Sequence, residues 1–370
     1  MMGWLVAVVA AWATVVSQTA TRAQPQTVWS SPSRGTIAAF AQDGSEMAWF
    51  APGGRSCNIV HLRSTTAPVE IQLPAQNAHN VTCHFVRSTR APVQLAVAET
   101  SGNVLWTLPL QSPLALDYVL GAGIAPKQRA EVRLLEAAHT GKGVGQWLGG
   151  ISGDGDTLAF AVTSVGWTDE SGCLAGIAPC TLVKTGGGIY VVRGRARVQV
   201  PGTSAAVEVA TAGSTTAYVP TGLIGQDGQP LPSADLPIDI VATATGQVIA
   251  SVVPQGVPIA IALAPHVLAT LERTPLGVRL AWYDPTTGSV RGAVPVPKTT
   301  AASLTASDDL VVFHVGRSLR AVNVATHRVR LLATASAAPV GVSLEGSRLA
   351  WAENLPRYAR IRALYVNGKG

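Results

Sequence analysis

Four stretches decide the fold: residues 38–50 read AAFAQDGSEMAWF, 149–162 GGISGDGDTLAFAV, 303–315 SLTASDDLVVFHV and 341–353 GVSLEGSRLAWAE. Each is an apolar run, a tight acidic or glycine turn, and a second run ending in small residues and an aromatic. Asp43-Gly44, Asp154-Gly155, Asp308-Asp309 and Glu345-Gly346 occupy the same place in the four copies. Such dipeptides between apolar runs are hairpin signals, because Gly and Asx residues tolerate the left-handed backbone that a tight turn needs. The unit therefore predicts two antiparallel strands, repeated along the chain.

Working outward, weaker copies occur in VTCHFVRSTRAPVQLAVAE, AVEVATAGSTTAYVP and IAIALAPHVLATLER. Anchored on Ala48, Ala96, Ala159, Ala217, Ala269, Val312 and Ala350, the series has a mean interval of about 50 residues, near the period of propeller blades. A second hairpin follows most copies, as in IYVVRGRARVQVP and LRAVNVATHRVRLLA. The expected fold is all-β, a β-propeller with seven blades and with six or eight as alternatives. The uncertainty lies in 110–148, where ALDYVL and EVRLLEAA compete to be the outer strand of blade two. After RIRALYV the seventh copy lacks a fourth strand, and QTVWSS near the start is expected to supply it and close the ring, as a single domain over 24–370.

Composition narrows the class. Only 13% of the 370 residues are charged and 47% are hydrophobic, which excludes a disordered tail protein, while 37 Gly and 24 Pro without a triplet period exclude collagen. The apolar run 4–16, followed by Thr21-Arg22-Ala23, reads as a signal peptide over 1–23, too short to serve as a membrane anchor. The expected location is secreted, periplasmic or cell envelope, with no transmembrane anchor after removal of the signal. In that compartment four cysteines read as two disulfides. Cys173 and Cys180 are close in sequence and form a natural loop staple, which leaves Cys57 to pair with Cys83.

The repeated pattern, DG-S-x-M-A-W-F, DG-D-T-L-A-F-A and E-G-S-R-L-A-W-A, resembles the WD40-like propeller repeats of TolB-type exported bacterial proteins. The resemblance implies an exported propeller. TolB also carries a separate α/β domain ahead of its blades, for which this chain has no room, so its translocation role is not expected here. SGNVLWTLPL and DPTTGSV are similar to quinoprotein repeats, whose tryptophan docking pattern is missing.

The candidate site residues fall on second-to-third loops. Residues 164–187 and 220–233 are long loops of blades three and four, and all four cysteines map to the same face. Trp167, Asp169 and Glu170 place an aromatic beside two carboxylates, suited to a carbohydrate or a cation, although Trp167 would also serve simply to pack the loop. Arg55, Arg273, Arg317, Arg357 and Arg360 would make a basic rim for carboxylates or phosphates, in keeping with a net charge of +6. The expected partner is a protein or an anionic glycopolymer on this face, not nucleic acid.

Catalytic signatures are missing: G-x-S-x-G, H-E-x-x-H, S-x-x-K and the calcium-loop pattern do not occur. GKGVG at 141–145 lacks the Ser or Thr of a phosphate loop. His79 and His84 flank Cys83 at a spacing that sends strand side chains to opposite faces, and His61, His139, His266, His314 and His327 share no pattern. Asn80-Val81-Thr82 fits a glycosylation sequon. No catalytic residue, metal or cofactor is expected, and most acids are assigned to turns. The function reads as a binding or scaffold module. The alternative is a propeller enzyme, a polysaccharide hydrolase or lyase, which would need acids around the axis.

Overall fold

The computed structural model describes residues 24–31, 36–53, 56–64, 70–74, 94–99, 103–110, 116–123, 132–139, 144–169, 171–172, 175–176, 180–193, 196–297 and 303–366. The described chain begins with β1 (Gln26–Ser30). Seven antiparallel sheets contain all the described strands. Sheet 1 is β2 (Ala39–Asp43), β3 (Glu46–Gly53), β4 (Ser56–Ser64) and β5 (Glu70–Pro74). Sheet 2 is β6 (Leu95–Ala98), β7 (Asn103–Leu110), β8 (Leu116–Gly123) and β9 (Val132–His139). Sheet 3 is β10 (Gly145–Asp154), β11 (Thr157–Trp167), β12 (Leu182–Arg193) and β13 (Ala196–Gln199).

Sheet 4 is β14 (Ala206–Ala212), β15 (Thr215–Ile224), β17 (Ile238–Ala242) and β18 (Val248–Val252), with β16 (Pro230–Pro232) folded onto the far end of β15. Sheet 5 is β19 (Val257–Ala264), β20 (Val267–Thr274), β21 (Gly277–Tyr283) and β22 (Val290–Val296). Sheet 6 is β23 (Leu304–Ser307), β24 (Leu310–Val315), β25 (Ser318–Asn323) and β26 (Arg328–Thr334). Sheet 7 is β27 (Pro339–Glu345), β28 (Arg348–Asn354) and β29 (Ala359–Tyr365), and β1 is its fourth strand, paired antiparallel with β29.

First strands meet first strands in sequence order: β2 lies against β6, β6 against β10, β10 against β14, β14 against β19, β19 against β23, β23 against β27, and β27 against β2. The first-to-second turns therefore gather at one end of a central axis, together with the third-to-fourth turns. The second-to-third connections and the links between sheets lie at the other end. We call these the turn face and the loop face.

The turns explain why the acidic dipeptides recur. Asp43 pairs with Glu46 across a two-residue link in which Gly44 has φ 52°, and Asp154 pairs with Thr157 around Gly155 at φ 58°. A side chain rarely takes this left-handed region, yet in sheet 6 Asp308 does so at φ 48°. The core lies between successive sheets. Trp49, Phe40 and Ile37 of sheet 1 pack on Ala350, Ala352 and Ile361 of sheet 7, and Trp282 with Val267 packs on Val311 and Phe313 of sheet 6. Alanine is frequent at these contacts because each sheet must come within about 10 Å of both neighbours.

Sheet 2 corrects the sequence register. Ala96 is on a first strand, not a second: β6 pairs with β7 through Ala96 and Leu105, and SGNVLWTLPL supplies the second strand. ALDYVL and EVRLLEAA then become β8 and β9, paired with each other, and neither is an insertion. LAVAE at 95–99 mimics the small-residue ending of a second strand, which is why the repeat pattern shifts this copy by one strand. Cys83 lies outside the described residues, as do the signal segment 1–23 and the sequon at 80–82.

β1 is held by more than its ladder. Arg63 donates to the Val28 carbonyl at 3.0 Å, Arg362 donates to the Pro25 carbonyl at 2.6 Å, and the Ala359 amide donates to Ser31 Oγ at 2.9 Å. Trp29 lies 4.8 Å from the Trp49 ring, which in turn stacks on His61 at 5.2 Å and 6°. Truncating a half-buried indole in such a stack forfeits burial and ring contact together. Trp29→Ala is expected to lower stability by about 2–3 kcal/mol in urea unfolding; an unchanged midpoint would mean that β1 contributes nothing to holding sheet 7 against sheet 1.

Candidate functional site

The loop face carries the predicted residues, and the structure separates them by role. Trp167 ends β11, half-buried opposite Leu182, and the two strands stay paired to that point. The expected long loop over 164–187 is thus mostly a projecting hairpin, with Thr168 donating its amide to the Thr181 carbonyl at 2.9 Å. Asp169 is exposed, and its carboxylate accepts the Gly172 amide and the Ser171 hydroxyl, both at 2.9 Å. The Gly172 amide, then the Ser171 hydroxyl, hold its carboxyl below the usual range. It shapes its own turn. Glu170, Cys173 and Arg55 lie outside the described residues, the side chain of Cys57 in β4 is likewise undescribed, and Cys180 is exposed just before β12.

The remaining arginines are arranged by sheet. Arg273 is exposed near the end of β20, Arg317 is exposed in the β24–β25 turn, and Arg357 is exposed in the β28–β29 connection. Three successive sheets, 5, 6 and 7, thus each present one arginine at the loop face. Among the described residues none of the three is in an ion pair. Arg360 differs from the expectation. It is half-buried and bonded to the fully buried Glu353 at 2.7 Å, with Ser336 Oγ at 2.6 Å.

Sheet 5 repeats that clamp. The fully buried Glu272 accepts Arg279 Nε at 2.9 Å, the Tyr283 hydroxyl at 2.6 Å and the Gln255 amide at 3.1 Å, and Glu353 likewise accepts the Ser336 amide at 2.6 Å. A buried carboxylate needs such complete pairing. These clamps tie the link between sheets to the second-to-third connection, and so fix the base from which Arg273 and Arg357 project.

The turn face holds what sequence reading missed. Asp43, Asp154 and Glu345, from sheets 1, 3 and 7, bring their carboxylate oxygens within 4.8 Å of one another. Asp43 is buried and accepts the Glu99 amide at 2.6 Å and the Gly155 amide at 2.9 Å; Asp154 accepts the Gly213 amide, and Glu345 is bonded to the backbone of Gly44. Each acid therefore takes a backbone N–H from the first turn of the following sheet. Burial raises the carboxyls of Asp43 and Glu345 above their ordinary values. The charge of Asp154 adds to the rise at both, and that of Asp43 adds at Glu345, against the lowering by their backbone donors. Three carboxylates so placed are able to share a proton or hold a cation. The signal was present in the sequence as acids at one repeated position, but only the ring shows that turns 1, 3 and 7 converge.

Glu208 is a second missed acid. It lies on β14 at the inner edge, and its carboxylate covers Gly150 of β10, where an added Cβ would meet Glu208 Oε2 at 2.5 Å. Enclosure by protein, with no compensating charge, raises its carboxyl from 4.5 to about 7.

No protein-family model matches the chain. No curated protein matches it either. Solved structures do. The WD40 β-propeller domain of Doa1 is 10% identical, with TM-score 0.51 over 91% of this chain and 96% of that one. The β-propeller domain of the trilobed protease from Pyrococcus furiosus is 9% identical, with TM-score 0.54 over 89% of this chain and 95% of that one. The chain is a β-propeller. At these identities the likeness speaks for the fold and not for a ligand.

The raised Glu208 carboxyl has a definite sign. The folded chain binds more protons than the unfolded one between pH 4.5 and about 7, so this group's contribution is full below 4.5 and is lost as pH rises through about 7. Glu208→Gln is expected to match the wild type at pH 4.5 and to exceed it by about 3 kcal/mol at pH 8 in urea unfolding, at about 1.4 kcal/mol per pH unit. Equal stability at both pH values would show that the carboxylate is well solvated.

Proposed function

We propose that this protein is an exported, seven-bladed β-propeller, closed by its N-terminal strand, that acts as a binding scaffold for an anionic macromolecule at its loop face. The observation that carries the reading is the arc of exposed arginines Arg273, Arg317 and Arg357 on consecutive sheets 5, 6 and 7, none of them in an ion pair among the described residues. Guanidinium groups on rigid connections bind carboxylate, sulfate or phosphate with little ordering cost, and several in an arc suit a polymer better than a small ion. The net charge of +6 favours the same class of partner. Support for seven blades comes from the seven sheets and the β1–β29 ladder. Support for export and cell-envelope location comes from the signal-like segment 1–23.

Two disulfides, Cys57–Cys83 and Cys173–Cys180, belong to this reading. Non-reducing peptide mapping is expected to recover these two linked pairs. A link from Cys57 to Cys173 or Cys180 would overturn the pairing.

The binding test is thermal unfolding of residues 24–370 with sulfated and carboxylated glycans and with polyglutamate, at low and high salt. A ligand bound only by the native state at 100 times its Kd adds about 2.7 kcal/mol, so the midpoint is expected to rise by several degrees at low salt. The rise should shrink at high salt and vanish in the Arg273→Ala/Arg317→Ala/Arg357→Ala variant. No rise with any anionic polymer would sink the reading.

A second reading has its own observation. The carboxylates of Asp43, Asp154 and Glu345 meet near the axis, where a propeller hydrolase or lyase would need acids. Against it, each acid is already bonded to the next sheet's turn. Turnover of a polysaccharide that is abolished by Asp154→Asn would favour the enzyme.

A further inference from the structure

Among the described residues six of the twelve large exposed apolar side chains lie on outer strands, and four of the others belong to the loop-face end of sheets 4 and 5. Leu223 is 62% exposed and Leu231 39%, Val253 is 69% exposed, and Leu276 is fully exposed. Their neighbourhood follows from the backbone. Leu223 and Leu231 are direct cross-strand partners in the β15–β16 hairpin, so both side chains stand on one side of it. β16 packs on β19, whose first residue is Val257. The link that precedes β19, including Val253 and Gly256, runs tightly past the end of β20, where a Cβ on Gly256 would lie 2.6 Å from the Arg273 carbonyl oxygen. Leu276 occupies the β20–β21 turn, three residues beyond Arg273.

The clamp on Glu272 fixes this region, because Gln255 in the link donates its amide to Glu272 while Arg279 beyond the turn donates to Glu272. The link and the turn that carry Val253 and Leu276 are thus held by a rigid base beside the first arginine of the arc, and Leu223 and Leu231 stand on the hairpin that packs against the start of sheet 5. Apolar side chains grouped on a surface and rimmed by charge mark binding sites for other chains. A carbohydrate polyanion would leave Leu223, Leu231, Val253 and Leu276 in water. A polypeptide would not.

Resting on the arginine-arc reading, we propose that the partner is a polypeptide segment that carries apolar side chains together with carboxylates: its leucine-like groups cover the apolar corner of sheets 4 and 5, and its acids run along Arg273, Arg317 and Arg357. The two features are complementary in charge and continuous at Arg273, which joins the apolar corner to the arc.

The test uses fluorescence anisotropy with two labelled twelve-residue peptides of equal charge, one alternating Glu and Leu, the other alternating Glu and Ser. The native chain is expected to bind the Glu-Leu peptide at least ten times more tightly. The Leu223→Ser/Leu231→Ser/Leu276→Ser variant should bring it down to the level of the Glu-Ser peptide; all three side chains are exposed, and an unchanged circular dichroism spectrum and unfolding midpoint confirm the fold. Equal affinity for the two peptides, or a Glu-Leu affinity untouched by the leucine changes, overturns the proposal. If both peptides and the glycans bind equally and depend on the arginines, the arc stands and the apolar corner falls; if no anion binds, both fall.

Discussion

The contact on which everything else depends is that of one first strand with the next around the axis. Each sheet is only four or five strands wide and would expose both faces if left alone, so its apolar residues are useful only when the neighbouring sheets cover them. The fully buried Trp49, Trp106, Trp282 and Trp351 fill the gaps between closely spaced sheets, Trp49 against Ala350 and Ala352 and Trp282 against Val311 and Phe313. Polar latches fix the register of that packing: Asp43 reaches the turns of sheets 2 and 3, Asp154 reaches the turn of sheet 4, and Glu345 reaches the turn of sheet 1. A charged acceptor on a backbone N–H is roughly twice as strong as a neutral one, so these bonds orient the ring as well as hold it.

The same constraint divides labour between the two ends. At the turn face six of the seven first-to-second links are two residues long, and the acids Asp43, Asp154 and Glu345 are engaged in joining sheets, so their convergence follows from the ring. At the loop face the connections are free to vary. There Glu272 and Glu353, both fully buried, bind Arg279 and Arg360 and secure the links between sheets, while Arg273, Arg317 and Arg357 are left toward solvent. Of the five arginines first grouped as a rim, Arg360 proves to be part of the scaffold. Chemistry alone does not distinguish a clamp arginine from a binding one. The partner on the neighbouring strand does.

The hairpin signals were legible because they are local. Asp43-Gly44 and Glu345-Gly346 announce tight turns in any context, and the pairings Asp43 with Glu46 and Glu345 with Arg348 follow directly. Register was harder. Between β6 and β7 the four residues 99–102 read ETSG, with an acid but no Asp-Gly-type dipeptide, so the repeat pattern puts Ala96 on a second strand and displaces the whole sheet by one strand. Long-range facts were hidden altogether. Nothing in EGSR at 345–348 says that Glu345 will sit within 4.8 Å of Asp154, nearly two hundred residues away, and nothing in AVEVATA says that Glu208 will cover a glycine on another sheet. The local bonds of Asp169 are legible for the opposite reason: Ser171 and Gly172, which donate to its carboxylate, stand beside it in the sequence.

The central claim is that the loop face binds and the turn face builds. The most direct measurement is amide hydrogen exchange of the native protein with and without a saturating anionic polymer. The account predicts slowed exchange at 274–277, 315–318 and 354–359, the connections that carry or adjoin Arg273, Arg317 and Arg357, with the turns at Gly44, Gly155 and Gly346 unchanged. Protection at those turns, with the arginine connections unaffected, would contradict it and move the site to the acids at the axis.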